Sequence, residues 1–258
     1  MYWPSFEFRY SLDRRKLTPH LMALDAHQQA ATALVLPHHW NRPPSETPPD
    51  GPSAIPRLKS RNAARARDWV GERFVPGSSP LTLADILTIH RLLSEDLSVE
   101  HQTPGTLRVD PVQVGRAEAG GFHSGAPAER LPIYMRRYVE FIAGNELATL
   151  SPAIHSLLAH FFFTTLHPFV DGNGRTSRLV ATAILYQRGY NVHGGFYALS
   201  DYFYQNDGIR YHTLLHRCWQ QGVPFDLTEF VAFGIEGIVM ELRSIDSFIR
   251  MKLRRAVG

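Results

Sequence analysis

The chain has 258 residues, 44% of them apolar, 20% charged and 11% aromatic, with a formal net charge of +3. That length supports one large domain or a domain with an appendage, and the weak positive charge lacks the concentrated basic face of a nucleic-acid binder. No apolar run approaches membrane-span length, the start Met1-Tyr2-Trp3-Pro4-Ser5-Phe6 has no leader-type pattern, and the lone Cys218 excludes an internal disulfide, so a cytoplasmic protein with no membrane partner is expected.

Residues 1–36 read as an N-terminal helical arm, with apolar positions at Leu17, Leu21, Leu24, Ala31 and Leu34. Seven prolines between Pro37 and Lys59 then interrupt any helix, and residues 37–60 read as a Pro-rich linker. From Arg61 a helical pattern resumes, with Ala63, Ala66, Trp69 and Val70 on one face. A second helix begins near Thr82, a capping residue, and carries Ile86, Ile89, Leu92 and Leu93. Residues 106–110 and 112–114 alternate polar and apolar, and Ala117 to Gly121 can turn the chain, so a small β-hairpin is expected there. Helices follow at about 129–144 and 151–166, the second apolar on more than one side. Another helix runs from the 167–174 turn to a stop at Gly189, and two more are expected at 207–220 and 228–250. Arg250, Lys252, Arg254 and Arg255 give residues 241–258 the character of a basic helix end. The expected class is mainly α with one hairpin.

The segment from His167 to Arg178, His-Pro-Phe-Val-Asp-Gly-Asn-Gly-Arg-Thr-Ser-Arg, concentrates chemistry between two helices. Its glycine-flanked turn lets backbone amides approach a ligand. The helix that follows offers unpaired N–H groups and a positive dipole end. Arg175 and Arg178 stand three residues apart on one face and repel that end unless an anion lies among them. A di- or triphosphate resolves the conflict; Asp171 can then hold Mg²⁺, and His167 can take a proton from an incoming hydroxyl. Each group alone has an ordinary explanation: a helix-end histidine, an arginine paired with Asp171, turn glycines. Their occurrence within twelve residues favours the phosphate site.

The segment resembles the signature of the Fic family, His-Pro-Phe-x-Asp-Gly-Asn-Gly-Arg-x-x-Arg, with every fixed position filled. Ile89-His90-Arg91-Leu92-Leu93, Pro104-Gly105-Thr106-Leu107-Arg108 and Ala159-His160-Phe161 are similar to upstream parts of that family, over about residues 61–240, and Trp3-Pro4-Ser5-Phe6 loosely resembles an N-terminal region of some members. The resemblance implies a Fic-type helical bundle with a hairpin flap that transfers AMP from ATP to a Ser, Thr or Tyr hydroxyl of a target protein. Carried over by position, His167 is the general base and Asp171 the Mg²⁺ ligand. Asp171, Gly172, Asn173, Gly174, Arg175, Thr176, Ser177 and Arg178 form the nucleotide site. Val112, Gln113, Val114 and Phe122 belong to a flap that docks the target by strand addition. Tyr211 is the best match on the adenine side.

Two departures leave alternatives open. No glutamate has Ser or Thr four residues before it, so the family's inhibitory motif is missing, and Pro56-Arg57 stand where Ser53-Ala54-Ile55 would lead to it. Activity is then restrained by a separate inhibitory partner, or the restraint is absent from this lineage. The adenine side departs from the family's Tyr-pair pattern, which leaves transfer of UMP or phosphocholine, and a catalytically silent nucleotide-binding module, as competing readings. A homodimer is also left open. A metal hydrolase built on His155, His160 and His167 conflicts with their spacings, which do not give a helical i, i+4 pair.

Overall fold

The computed structural model describes Trp3 and residues 6–33, 54–97, 103–190 and 201–257. A two-residue strand, β1 (Tyr10–Ser11), precedes α1 (Arg14–Thr32), α2 (Ala54–Arg73) and α3 (Leu83–Ser94). The hairpin strands β2 (Gln113–Arg116) and β3 (Gly121–Ser124) follow, then α4 (Leu131–Ala143), the single turn α5 (Asn145–Ala148), α6 (Pro152–Leu166) and α7 (Asn173–Gln187). The last elements are α8 (Asp201–Gln221), β4 (Phe225–Asp226) and α9 (Thr228–Val257). The architecture is mainly α, as the hydrophobic periodicity indicates.

The central element is α6, in which every residue from Ala153 to Leu166 is buried. It is apolar all round because α4, α7 and α9 pack on different sides of it. Phe161, Phe162 and Phe163 are fully buried and meet Phe225, Phe230 and Tyr138 edge-on, each ring contributing roughly 2–3 kcal/mol by burial. Thr82 caps α3 through a reciprocal pair with Asp85. Beyond α7, Gly189 takes a left-handed backbone and its N–H returns to the Tyr186 carbonyl.

Several boundaries differ from the sequence expectation. The helix expected from Arg61 begins at Ala54, so the last part of the proline-rich stretch is helical: Pro56 falls in the first turn, where its missing N–H costs nothing. The rest of that stretch, 37–53, lies outside the described residues. The N-terminal segment is not a detached arm. Leu17, Leu24 and Ala31 are fully buried, α1 packs along α9, and β1 pairs in parallel with β4. The basic C-terminal segment continues α9 rather than forming its own helix. The hairpin pairs 113–116 with 121–124, so residues 106–110 are not a strand; Arg108 is held there by side-chain bonds instead. Among the described residues, no helix is long and apolar enough to cross a membrane.

Candidate active site

Residues 167–172 form the loop between the C-terminus of α6 and the N-terminus of α7. Pro168 prevents α6 from continuing, and His167 caps it in a left-handed conformation, φ 52° and ψ 62°. The His167 N–H bonds the Phe163 carbonyl at 3.0 Å. Its Nδ1 lies 3.3 Å from the Thr164 carbonyl, which can only accept, so Nδ1 carries the proton and Nε2 presents a lone pair. Burial pushes the imidazole pKa down to about 4, with the Arg108 cation acting in the same direction and the Thr164 carbonyl against it. At neutral pH His167 is a neutral base.

The loop is braced from within. Asn173 accepts the Phe169 N–H at 2.9 Å and donates to the Phe169 carbonyl at 2.7 Å. Gly172 precedes α7 with φ 80°, a conformation that glycine adopts without strain. The Arg175 guanidinium bonds the Asp171 carboxylate and the Leu93 carbonyl, both at 3.1 Å. Asp171 keeps 43% of its side chain exposed.

Two residues from upstream segments, His90 and Arg108, hold this loop from outside. His90, fully buried on α3, stacks on Phe169 with centroids 3.6 Å apart. Its Nδ1 accepts the Gly105 N–H at 2.9 Å and its Nε2–H reaches the Asp171 carbonyl at 3.1 Å. Burial lowers its pKa to about 4, so the ring stays neutral. Arg108, 3% exposed, donates to the carbonyls of His167 and Asp110, both at 2.7 Å, and to that of Ala126. It thereby ties the base to the segment leaving the hairpin. Their only sequence signal was their place in the upstream segments.

A cleft of about 540 Å³ opens over the loop. His167, Asp171, Gly172, Asn173, Gly174, Arg175 and Arg178 line its floor; Gln113, Val114 and Gly115 of β2 form one wall with Tyr211, His212 and Leu215 of α8. Lys59 of α2 also lines it. The Tyr211 hydroxyl lies 2.6 Å from His160 Nε2, which fixes the ring at the cleft edge.

Not every expected contact residue faces this space. Thr176 and Ser177 are fully buried on the core side of α7, and the Ser177 hydroxyl bonds the Gly174 carbonyl, so their side chains pack rather than meet a nucleotide. The Asn173 side chain is spent on Phe169, which leaves its helix-start amide for a ligand. Val112 packs against the core, and Phe122 stands 59% exposed on β3, outside the cleft lining. His155 bonds the Ile142 carbonyl, His160 meets Tyr211 and His167 meets Thr164, so the three histidines share no centre. Among the described residues, no cluster of three His, Cys, Asp or Glu side chains could hold a metal.

The fold and the loop define a helical domain with a neutral histidine beside a helix N-terminus, under a β-hairpin. Residues 80–185 match the family model described as Fic/DOC family, and the chain carries a Fic domain. The protein adenylyltransferase Fic of Drosophila erecta is 32% identical over 115 residues, 43% of this chain and 21% of that protein; its counterpart in Drosophila virilis is 35% identical over the same spans. The match thus spans about a fifth of the length of these curated relatives. The fold is also similar to a Fic family protein from Desulfovibrio desulfuricans G20, with TM-score 0.61 at 23% identity over 91% of this chain and 66% of that one. A Fic domain containing signaling protein from Bacteroides thetaiotaomicron gives TM-score 0.62 at 18% identity, over 93% and 91% of the two chains.

Proposed function

We propose that the protein is an adenylyltransferase that moves AMP from ATP to a Ser, Thr or Tyr hydroxyl of a target protein. The observation that carries this reading is the state of His167: Nδ1 is committed to the Thr164 carbonyl, the ring is neutral, and Nε2 is left as the base in a cleft floored by a helix N-terminus. His167 Nε2 takes the proton of the target hydroxyl as its oxygen attacks the α-phosphorus. The bond from that phosphorus to the bridging oxygen breaks, and pyrophosphate leaves. The start of α7, with the Gly172 to Gly174 amides, receives the phosphates, and Arg175 and Arg178 meet their charge.

The donors fit Mg²⁺ bound together with nucleotide. Asp171 is a half-exposed carboxylate, and with no three-ligand cluster among the described residues the remaining positions would fall to phosphate oxygens and water, which is how this ion is usually held. Such an ion neutralises phosphate charge when bound. The hairpin supplies the target side, since Gln113 and Val114 of β2 line the same cleft as His167. The adenylyltransferase names of the Drosophila relatives support this reaction over transfer of other groups. Incubation with α-labelled ATP, CTP, GTP and UTP, Mg²⁺ and a cell lysate tests it. Label from ATP on a protein band, lost in His167→Ala, is expected; no labelled band, or label that survives His167→Ala, refutes it.

A further inference from the structure

The inner face of α2 runs through Asn62, Ala66 and Val70, each fully buried. One turn before Asn62 that stripe carries Lys59. Lys59 itself is exposed, for here the helix has passed the edge of the core and reaches the active-site cleft, which Lys59 lines. The helix is firmly placed there. Asn62 donates to the Glu95 carbonyl, Arg65 pairs with Glu95, Arg61 pairs with Asp96 at 3.1 Å, and Arg73 holds Asp85 with two bonds of 3.2 Å. Glu95, Asp96 and Asp85 therefore already have arginine partners.

Among the described residues that line the cleft, cations outnumber carboxylates. Lys59, Arg175 and Arg178 line it as cations, and among the described residues Asp171 is the one carboxylate that does. Asp171 is bonded to Arg175. The positive end of α7 adds to the excess. The walls also differ in charge: β2 and α8 present Gln113, Val114, Gly115, Tyr211, His212 and Leu215, whereas the α2 side presents the cation Lys59. Base and target belong on the first wall, and the far end of an anion on the second.

We infer that Lys59 is a further substrate-binding residue, contacting the terminal phosphate of the nucleoside triphosphate and so selecting triphosphates over shorter nucleotides. This rests on the adenylyltransferase reading. It adds a helix outside residues 80–185 to the nucleotide site.

Titration calorimetry of the whole chain with Mg²⁺ and non-transferable α,β-methylene-ATP, α,β-methylene-ADP and AMP tests the assignment. Lys59→Ala is expected to weaken the triphosphate on the order of ten- to a hundredfold, as for loss of a charge-assisted bond, the diphosphate less, and AMP within twofold. Lys59→Arg restores binding, and Lys59→Glu weakens the triphosphate beyond Lys59→Ala. Equal triphosphate affinity in Lys59→Ala and the parent overturns the inference. So does an equal loss for all three nucleotides, which would mark a structural effect. A parent that binds no triphosphate overturns the functional reading itself, a different result from a parent that binds while Lys59→Ala makes no difference.

Discussion

Arg108→Met separates the scaffold of the base from the base itself. Methionine keeps most of the side-chain volume but removes donors to the His167, Asp110 and Ala126 carbonyls. A buried acceptor left unpaired costs about 1–3 kcal/mol. Partly opposing this is the relief of a desolvated cation, for burial already lowers the Arg108 pKa. The net expectation is about 3–4 kcal/mol lost, a large share of the roughly 5–15 kcal/mol that holds a domain together. In urea the midpoint should fall by about 1–2 M at an unchanged slope. Arg108→Lys should recover part of the loss, since one ammonium cannot reach all three carbonyls in the guanidinium's fork geometry. Under the adenylyltransferase reading, kcat falls on the order of a hundredfold as His167 loses its carbonyl anchor. A stability loss below about 1 kcal/mol in Arg108→Met would refute the clasp.

Two further outcomes follow from His167 and the other buried histidines. The left-handed backbone of His167 (φ 52°) disfavours any residue with a Cβ, so His167→Gly should be more stable than His167→Ala by about 1 kcal/mol, the reverse of the usual order; chemical denaturation of the pair checks it, and alanine as the more stable variant would contradict the strain. Burial lowers the pKa of His90, His123, His155 and His167 to about 4 and that of His160 to about 3. The unfolded chain therefore binds more protons from pH 6.5 downwards, and stability falls with pH over that window, by about 2 kcal/mol per histidine at pH 5. Urea midpoints at pH 7.5, 6 and 5 read this, and a flat or rising series contradicts it.

What the sequence made legible was whatever depends on neighbours along the chain. The period of α6, the Thr82 cap, the Gly189 stop and the hairpin turn are local decisions, and the structure keeps them. The loop from His167 to Gly172 is equally local: one proline, two left-handed caps and, just beyond it, one asparagine bonded four residues back. Residues far apart in sequence were not legible in this way. Nothing in the spacing of Arg108 says that its fork reaches a carbonyl 59 positions away. Composition likewise misplaced the start of α2, because proline excludes helix interiors but not first turns. Thr176 and Ser177 share the motif's run, yet helical geometry turns them to the core while Arg175 and Arg178 line the cleft.

The position of His167 sets two requirements against each other, and the long-range contacts reconcile them. A base needs an available lone pair, which requires the other ring nitrogen to be committed and the ring to be neutral. Placing it at the C-cap of α6 satisfies both, because the last turn offers the Thr164 carbonyl and the surrounding core lowers the pKa. The same placement forces a left-handed backbone that costs on the order of 1–3 kcal/mol. Arg108 bonds the carbonyl of that strained residue, and the Arg108 N–H bonds the carbonyl of the next, Pro168, at 3.0 Å. A clasp drawn from a separate segment can therefore hold the loop through its backbone carbonyls. That is why the arginine that keeps His167 in place lies outside the twelve-residue segment from His167 to Arg178.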